Sequence, residues 1–398
     1  VDTSLGLFAV SDGMGGHAGG EVASKTAIEA VKEVVGRHRE LIERITEGRT
    51  DDVAESKRSL SRAAREAVNE ATERVYNLAK SEDGPSGMGC TLTVLVVAGR
   101  FGVMAHVGDS RLYQLRGKRV TQLSQDHTLV HEMAREGLGD VASLKNSPFA
   151  HVLSRAVGPQ PAVQVDTLVF EIVAGDRYLL CSDGFSNHLE TESKLGKMVG
   201  EGLDDEALDA AAAELVEMAN ASGGDDNITV VLVTLDGEPS DRAQLVESRY
   251  AALDRNFMFA GLDRAMAARV LEVCRVQRHD TGDIVVELGD ETGELFIVVD
   301  GRYNLADEEG HIGQLGPGDY TGSTTLSKPR PSRARLQAAE PSRLLRMSGK
   351  AFAQLIRRRP WLGIYMLERL GNKLSADLER SYQQREGSED TVRIRERF

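Results

Sequence analysis

The sequence predicts an α+β protein in two parts: strands with long helices first, then a small barrel or roll set between helices. Three observations carry this. Short apolar runs in the first 235 residues stop repeatedly at an aspartate flanked by glycine. Two long stretches place apolar residues at helical spacing. After about residue 250 the pattern turns to short strands punctuated by glycine turns, and a final helical stretch closes the chain.

In chain order, Leu5, Leu7, Phe8, Ala9 and Val10 form a buried-strand pattern that runs into Ser11-Asp12-Gly13-Met14-Gly15-Gly16. Val22, Ala23, Ala27, Val31, Val34 and Val35 then recur as one helical face, and Leu60, Ala64, Ala67, Ala71, Val75 and Leu78 as a second. Thr91–Val97 and Phe101–Val107 read as strands joined around Gly99, the second ending at Gly108-Asp109-Ser110-Arg111. A hairpin is expected over Leu112–Leu115 and Val120–Leu123. Residues 124–162 lose the strand pattern, and an irregular segment of that length in a compact domain is usually functional. Asp126-His127 reads as a turn at its mouth, His106 as a satisfied core residue and His17 as a solvated loop residue. Strands resume at Val163–Phe170 and Tyr178–Cys181, the latter running into Ser182-Asp183-Gly184. An alanine-rich helix over Ala207–Ala219 leads to Gly223-Gly224-Asp225-Asp226-Asn227 and the strand Ile228–Leu235.

Composition narrows the function classes. No apolar run approaches the ~20 residues of a membrane span, and the start shows no signal-peptide pattern. A net charge of −14 argues against general nucleic-acid binding. Cys90, Cys181 and Cys274 lie far apart in apolar segments, as reduced core thiols of a cytoplasmic protein do. The glycine-rich segment lacks the Gly-Lys-Ser/Thr ending of a phosphate-cradling loop.

Asp12, Asp109 and Asp183 follow strands and Asp226 precedes one. In an antiparallel arrangement these positions meet at one edge of a sheet or sandwich. Four carboxylates so gathered repel one another unless cations neutralise them. A set with oxygen donors only suits Mg²⁺ or Mn²⁺ rather than zinc. A single Asp-Gly is an ordinary turn; four at matched strand ends form a site.

Residues 5–235 resemble the bacterial branch of the metal-dependent protein phosphatase 2C family. The motifs that carry the resemblance are Ser11-Asp12-Gly13-Met14-Gly15-Gly16, Gly87-Met88-Gly89-Cys90-Thr91-Leu92, Val107-Gly108-Asp109-Ser110-Arg111, Leu153-Ser154-Arg155-Ala156-Val157-Gly158, Ser182-Asp183-Gly184 and Asp225-Asp226-Asn227. The resemblance implies a four-layer α-β-β-α sandwich that hydrolyses phosphoserine and phosphothreonine in proteins with two Mn²⁺ or Mg²⁺ ions. Asp12 bridges the metals with the Gly13 carbonyl on one of them, Asp183 and Asp226 complete the other, and Asp109 with Asp183 serves a third, weaker ion. Asp12, Asp183 and Asp226 are thus the expected catalytic set. The family's opening strand, with its phosphate-gripping arginine and Asn-Glu-Asp-like motif, is not assignable in this sequence. Met14 stands where animal members carry a histidine. An inactive phosphatase-like scaffold that binds phosphoproteins is the rival expectation.

The composition shifts at Asp236-Gly237-Glu238-Pro239-Ser240, giving residues 1–236 as the catalytic domain, 237–249 as a linker and 250–398 as a regulatory domain. The last part resembles the cyclic-nucleotide-binding domain, a β-roll with flanking helices. In that family a glutamate and an arginine grip the ribose and phosphate. Here the cassette reads Thr321-Gly322-Ser323-Thr324-Thr325-Leu326 and Pro329-Arg330-Pro331-Ser332-Arg333-Ala334, so Ser323 replaces the glutamate. Ser332 replaces the arginine if Ala334, Leu336 and Ala338 face inward, and Arg333 takes the position if the register slips by one. Cyclic AMP and cyclic GMP are therefore not expected as ligands. The roll is expected to dock a partner protein or a second copy, with no role at membranes or on nucleic acid.

Overall fold

The structure is a computed structural model. It describes all residues except Gly16, Asp51, Asp83, Gly84, Ser86, 145–147, Glu190, 238–240, Thr324, Thr325, Ser327 and 387–398. Gly16, Glu238-Pro239-Ser240, Thr324-Thr325 and the charged tail, each read from the sequence above, therefore lie outside the described residues. The chain divides into two compact units: Val1–Val246 with Arg264–Glu272, and Glu247–Asp263 with Val273–Phe398.

The first unit is a four-layer α-β-β-α sandwich. Leu7–Val10, Leu92–Ala98, Phe101–Val107 and Asp166–Glu171 form one antiparallel sheet in that order. Val230–Thr234, Arg177–Cys181, Arg111–Arg116 and Arg119–Gln122 form the other. Period-two alternation gives each sheet two apolar faces. Val94, Val96, Val103 and Ala105 face the helices His17–Arg37 and Val53–Lys80, whose Ala23, Ala27, Val31, Ala64, Ala67 and Val68 complete one core. Alanine on both facing helices lets their backbones lie close. Leu115, Leu179 and Cys181 pack with Leu195, Leu215 and Ala219 from Glu192–Met198 and Asp205–Ala221 into the outer core of the other sheet. Leu95, Met104, Leu112 and Leu180 lie on the opposite faces, fully buried between the sheets. Asp52 caps the long second helix, its carboxylate accepting from the amides of Ala54 and Glu55.

The second unit is the expected β-roll. Two four-stranded sheets, Arg275–His279 with Ser342–Ser348, Glu294–Asp300 and Tyr320–Thr321, and Ile284–Val286 with Arg335–Ala338, Tyr303–Asp307 and Gly310–Leu315, enclose Val286, Phe296, Val298, Tyr303, Leu336, Ala338 and Leu344. Helices Gly349–Arg358 and Pro360–Glu386 follow. Leu336 and Ala338 are buried and Arg335 exposed, so the alternation carries Ser332 and Ala334 to the half-buried side and Arg333 to solvent.

Two expectations need correction. The stretch expected as a linker is helical from Asp241 to Arg255, where the only glycine and proline lie before residue 240 and no helix breaker interrupts the run. Residues 264–272, expected with the second domain, group with the first unit.

Candidate active site

Asp12, Gly13, Asp109, Asp183 and Asp226 all line one cavity of about 720 Å³ in the first unit. The antiparallel pairings bring them there. Asp12 follows Leu7–Val10, and its amide donates to Thr91 Oγ1 at 2.9 Å. Ser11 Oγ donates to the Thr91 carbonyl at 2.7 Å, and the Thr91 amide donates to the Asp12 carbonyl. The Thr91 hydroxyl also lies 2.7 Å from Ser110 Oγ, so one buried side chain braces the loops that carry Asp12 and Asp109. Gly108 adopts φ 107° against the Thr91 side chain, where a Cβ would approach to 2.7 Å. Only glycine lets the chain turn there into Asp109.

Asp183 opens the short helix Asp183–Ser186 directly after Arg177–Cys181. Ser182 ties this end to the Asp226 loop: its hydroxyl donates to the Asn227 carbonyl and accepts from the Thr229 amide, both at 3.0 Å. Gly13 pairs with Cys90 across a two-residue ladder. A Cβ on Gly13 would lie 2.0 Å from the Gly20 carbonyl oxygen, so the turn and the start of the first helix pack backbone against backbone. That contact is the physical need behind the glycine-rich sequence.

The electrostatics are those of an unneutralised acidic cluster. Burial, then Asp183 and Asp226, push the Asp12 carboxyl up to about 7. Burial, then Asp183, Asp126 and Asp12, push Asp109 up to about 7. Asp183 Oδ1 is buried with no hydrogen-bond partner. An orphaned carboxylate oxygen among repelling carboxylates fits a hard divalent cation. Among the described residues no three such groups converge tightly enough to form a closed metal cage.

The segment 124–162 is pinned at both ends. Val157 and Cys90 exchange backbone hydrogen bonds at 2.9 Å, and Ser154 N donates to the His127 carbonyl. Asp126-His127, read as a turn at the mouth of this segment, lies in the interior. Both residues are buried, Asp126 in a forked pair with Arg111 at 2.7 Å, His127 with its Nδ1 accepting the Gly108 amide at 3.2 Å. His106 is buried as expected, its Nδ1 2.9 Å from Thr93 Oγ1 and its Nε2 3.0 Å from the Gln125 carbonyl. Sequence reasoning assigned no role to Arg155, the arginine lining the cavity beside Glu132 and His127. It assigned none to Thr91 or Ser110 either. Their signal was present, since both sit inside the motifs of the phosphatase resemblance, Ser110 directly after Asp109 and Thr91 directly after Gly89-Cys90. Burial pushes the Cys90 thiol up to about 12, which removes it as a nucleophile.

Residues 1–220 match the family described as Protein phosphatase 2C, and residues 276–359 match the cyclic nucleotide-binding domain. The serine/threonine phosphatase stp of Listeria monocytogenes is 34% identical over 230 residues, covering 58% of this chain and 84% of that protein. The serine/threonine protein phosphatase PstP of Mycobacterium tuberculosis is 34% identical over 226 residues, covering 57% of this chain and 40% of its own length. The crystal structure of the M. tuberculosis phosphatase PstP/Ppp aligns at a TM-score of 0.48 and 33% identity, covering 58% of this chain and 88% of that one.

Proposed function

The chain belongs to the protein phosphatase 2C family and is a protein serine/threonine phosphatase, and from that premise we propose that it hydrolyses phosphoserine and phosphothreonine on proteins with Mn²⁺ or Mg²⁺ held by Asp12, the Gly13 carbonyl, Asp183 and Asp226, and with Asp109 and Asp183 serving a third, weaker ion. The observation that carries this is the gathering of these five residues on one cavity, with Asp183 Oδ1 buried and unsatisfied. Two such ions, when bound, lower the pKa of the attacking water and clamp the phosphoryl oxygens. The chain's own residues hold the geometry. Thr91 and Ser110 fix the Asp12 and Asp109 loops against each other, and Ser182 fixes Asp183 to the Asp226 loop. Arg155, which lines the same cavity, carries a guanidinium whose fork suits a phosphate oxygen pair.

Catalysis is assigned to the first unit and regulation to the second, with the roll docking a partner protein or a second copy rather than a cyclic nucleotide. No described helix is long and apolar enough to cross a membrane. Three free, buried cysteines support a cytoplasmic setting. The test is Mn²⁺-dependent hydrolysis of a phosphothreonine peptide and of a small aryl phosphate. Asp12→Ala should lower turnover by at least a thousandfold, on the order of 4 kcal/mol of transition-state stabilisation. Near-normal turnover in that variant at saturating Mn²⁺ would overturn the assignment, and no turnover in the unaltered chain would leave the scaffold reading standing.

A further inference from the structure

The helix Arg264–Val273 enters the first unit from outside it. Its residues 264–272 group with that unit, while the chain on both sides, Glu247–Asp263 and Val273 onward, belongs to the second. It is buried all round: Ala265, Met266, Ala267, Ala268, Arg269 and Val270 are each at most 8% exposed. A guanidinium buried to 2% is costly unless it is paired. Arg269 Nη2 meets Asp166 Oδ2 at 3.1 Å, and Nη1 donates to the Thr167 carbonyl at 3.4 Å. Gln125 Nε2 lies 3.9 Å from the Met266 sulfur on the same helix.

From Asp166 and Gln125 a polar path, buried beyond Gln125, leads to the catalytic cavity. Asp166 sits directly opposite His106 in the sheet register. His106 contacts the Gln125 carbonyl with one ring nitrogen and Thr93 Oγ1 with the other, and Thr93 donates to the Ser110 carbonyl at 2.9 Å. The His106 and His127 rings lie 4.8 Å apart. His127 holds Gly108 twice, through its Nδ1 and through its amide, which donates to the Gly108 carbonyl at 2.8 Å. Gly108 and Ser110 flank Asp109. Arg269, Asp166, His106, Thr93, His127, Gly108 and Ser110 are buried and Gln125 is half-buried, and hydrogen bonds between buried groups hold one arrangement stiffly.

We propose that Arg269 is a positioning residue for phosphate hydrolysis: from a helix inserted between two segments of the second unit, it fixes Asp166, His106 and His127 and so the setting of Asp109 in the cavity. This rests on the reading of Asp109 as a ligand of the weaker ion. Arg269 does not touch the reacting atoms. Its effect falls on how readily the Asp109 end takes up the cation, not on the Asp12 pair.

The test compares the full chain with Arg269→Lys and Arg269→Gln, measuring turnover against Mn²⁺ concentration. Arg269→Lys keeps the charge and loses the fork, and folds where Arg269→Gln strands Asp166. Half-saturating Mn²⁺ for turnover should rise about tenfold in Arg269→Lys and further in Arg269→Gln. The KM for the phosphopeptide should stay within about twofold. Hydrogen exchange in Arg269→Lys should quicken at residues 106–111 and 124–128, with the strand 177–181 unchanged. A wild-type Mn²⁺ curve in Arg269→Lys, or faster exchange spread evenly over the unit, would overturn the proposal. If Asp12→Ala also retained activity, the failure would belong to the site assignment; if Asp12→Ala were dead while both Arg269 variants kept the wild-type curve, only the positioning role would fall.

Discussion

Asp183 is the residue on which the electrostatics of the cavity turn. It stands first among the charges that raise Asp12 and Asp109, and its Oδ1 is buried without a partner. Removing its charge should therefore act in opposite directions on activity and on metal-free stability. Asp183→Asn should abolish Mn²⁺-dependent turnover yet stabilise the metal-free protein, on the order of 1 kcal/mol, by relieving the repulsion. Thermal denaturation in chelator decides it, and a lower Tm than the unaltered chain would show that Asp183 is not held against its neighbours. His127 gives a second expectation at this scale. Burial, then His106 and Arg155, lower its pKa to about 2, and burial also lowers His106. A histidine near its ordinary ~6.5 in the unfolded chain takes up protons there first. The stability held by the neutral rings is thus complete above pH ~6.5 and lost as pH falls below it, at about 1.4 kcal/mol per pH unit per histidine. Asp12 and Asp109, raised to about 7, act in the opposite sense over the same range, so His127→Gln should remove about 1.4 kcal/mol per pH unit of the acid-side loss between pH 6.5 and 5, and an unchanged pH dependence in urea melts would place the titration elsewhere. Asp12, Asp109 and Asp183 were legible in sequence because each ends an apolar run beside a glycine, and Asp226 because it leads into one after Gly223-Gly224. Asp126 and His127 were not: their burial depends on Arg111 and Gly108, contacts between segments that no local pattern encodes.

At the scale of elements, what was readable followed burial periodicity. Strands whose two faces are both covered stand out as unbroken apolar runs, which is why Leu92–Ala98 and Phe101–Val107 fell within a residue of expectation. Arg39–Thr46 was missed, since its only buried residues are Ile42 and Ile45 among charges. The cassette of the roll depended on a single register, and Arg333 is exposed while Ser332 lies on the half-buried side. Ser332 Oγ is turned to the Ala334 carbonyl at 2.7 Å, so it neither carries a charge nor projects a free donor. If Ser323 and Ser332 stand where the resemblance puts the glutamate and the arginine, two charge-assisted contacts are lost, each worth roughly 1.5–3 kcal/mol. The full chain should then bind cyclic AMP and cyclic GMP about two to four decades more weakly than a member with both groups. Saturation at low micromolar nucleotide in a calorimetric titration would contradict this and bring Arg333 back into the pocket.

For the whole molecule, the sequence showed two parts and misjudged how the chain divides between them. Composition marks a boundary near residue 237, but the helix 264–272 carries alanines and an arginine that look like any helix face, and its place against Asp166 is a long-range fact. That placement yields a prediction about truncation. The Listeria relative is matched over 84% of its length by 230 residues, and the first unit has its own sheets and its own cores. A chain ending at Val246 should accordingly fold and hydrolyse an aryl phosphate. It lacks Arg269, however, and leaves Asp166, now 6% exposed, without that partner. Breaking a buried pair by removing one member costs about 3–5 kcal/mol, less where water can enter the uncovered place. The truncated chain should melt several degrees lower and need more Mn²⁺ for half-maximal turnover, as Arg269→Lys does. A chain ending at Cys274, which restores the helix without the roll, should recover both properties to a large extent. Equal Mn²⁺ curves and equal Tm values for the chains ending at Val246, at Cys274 and at the full terminus would mean that the helix merely rests on the first unit and has no hold on its chemistry.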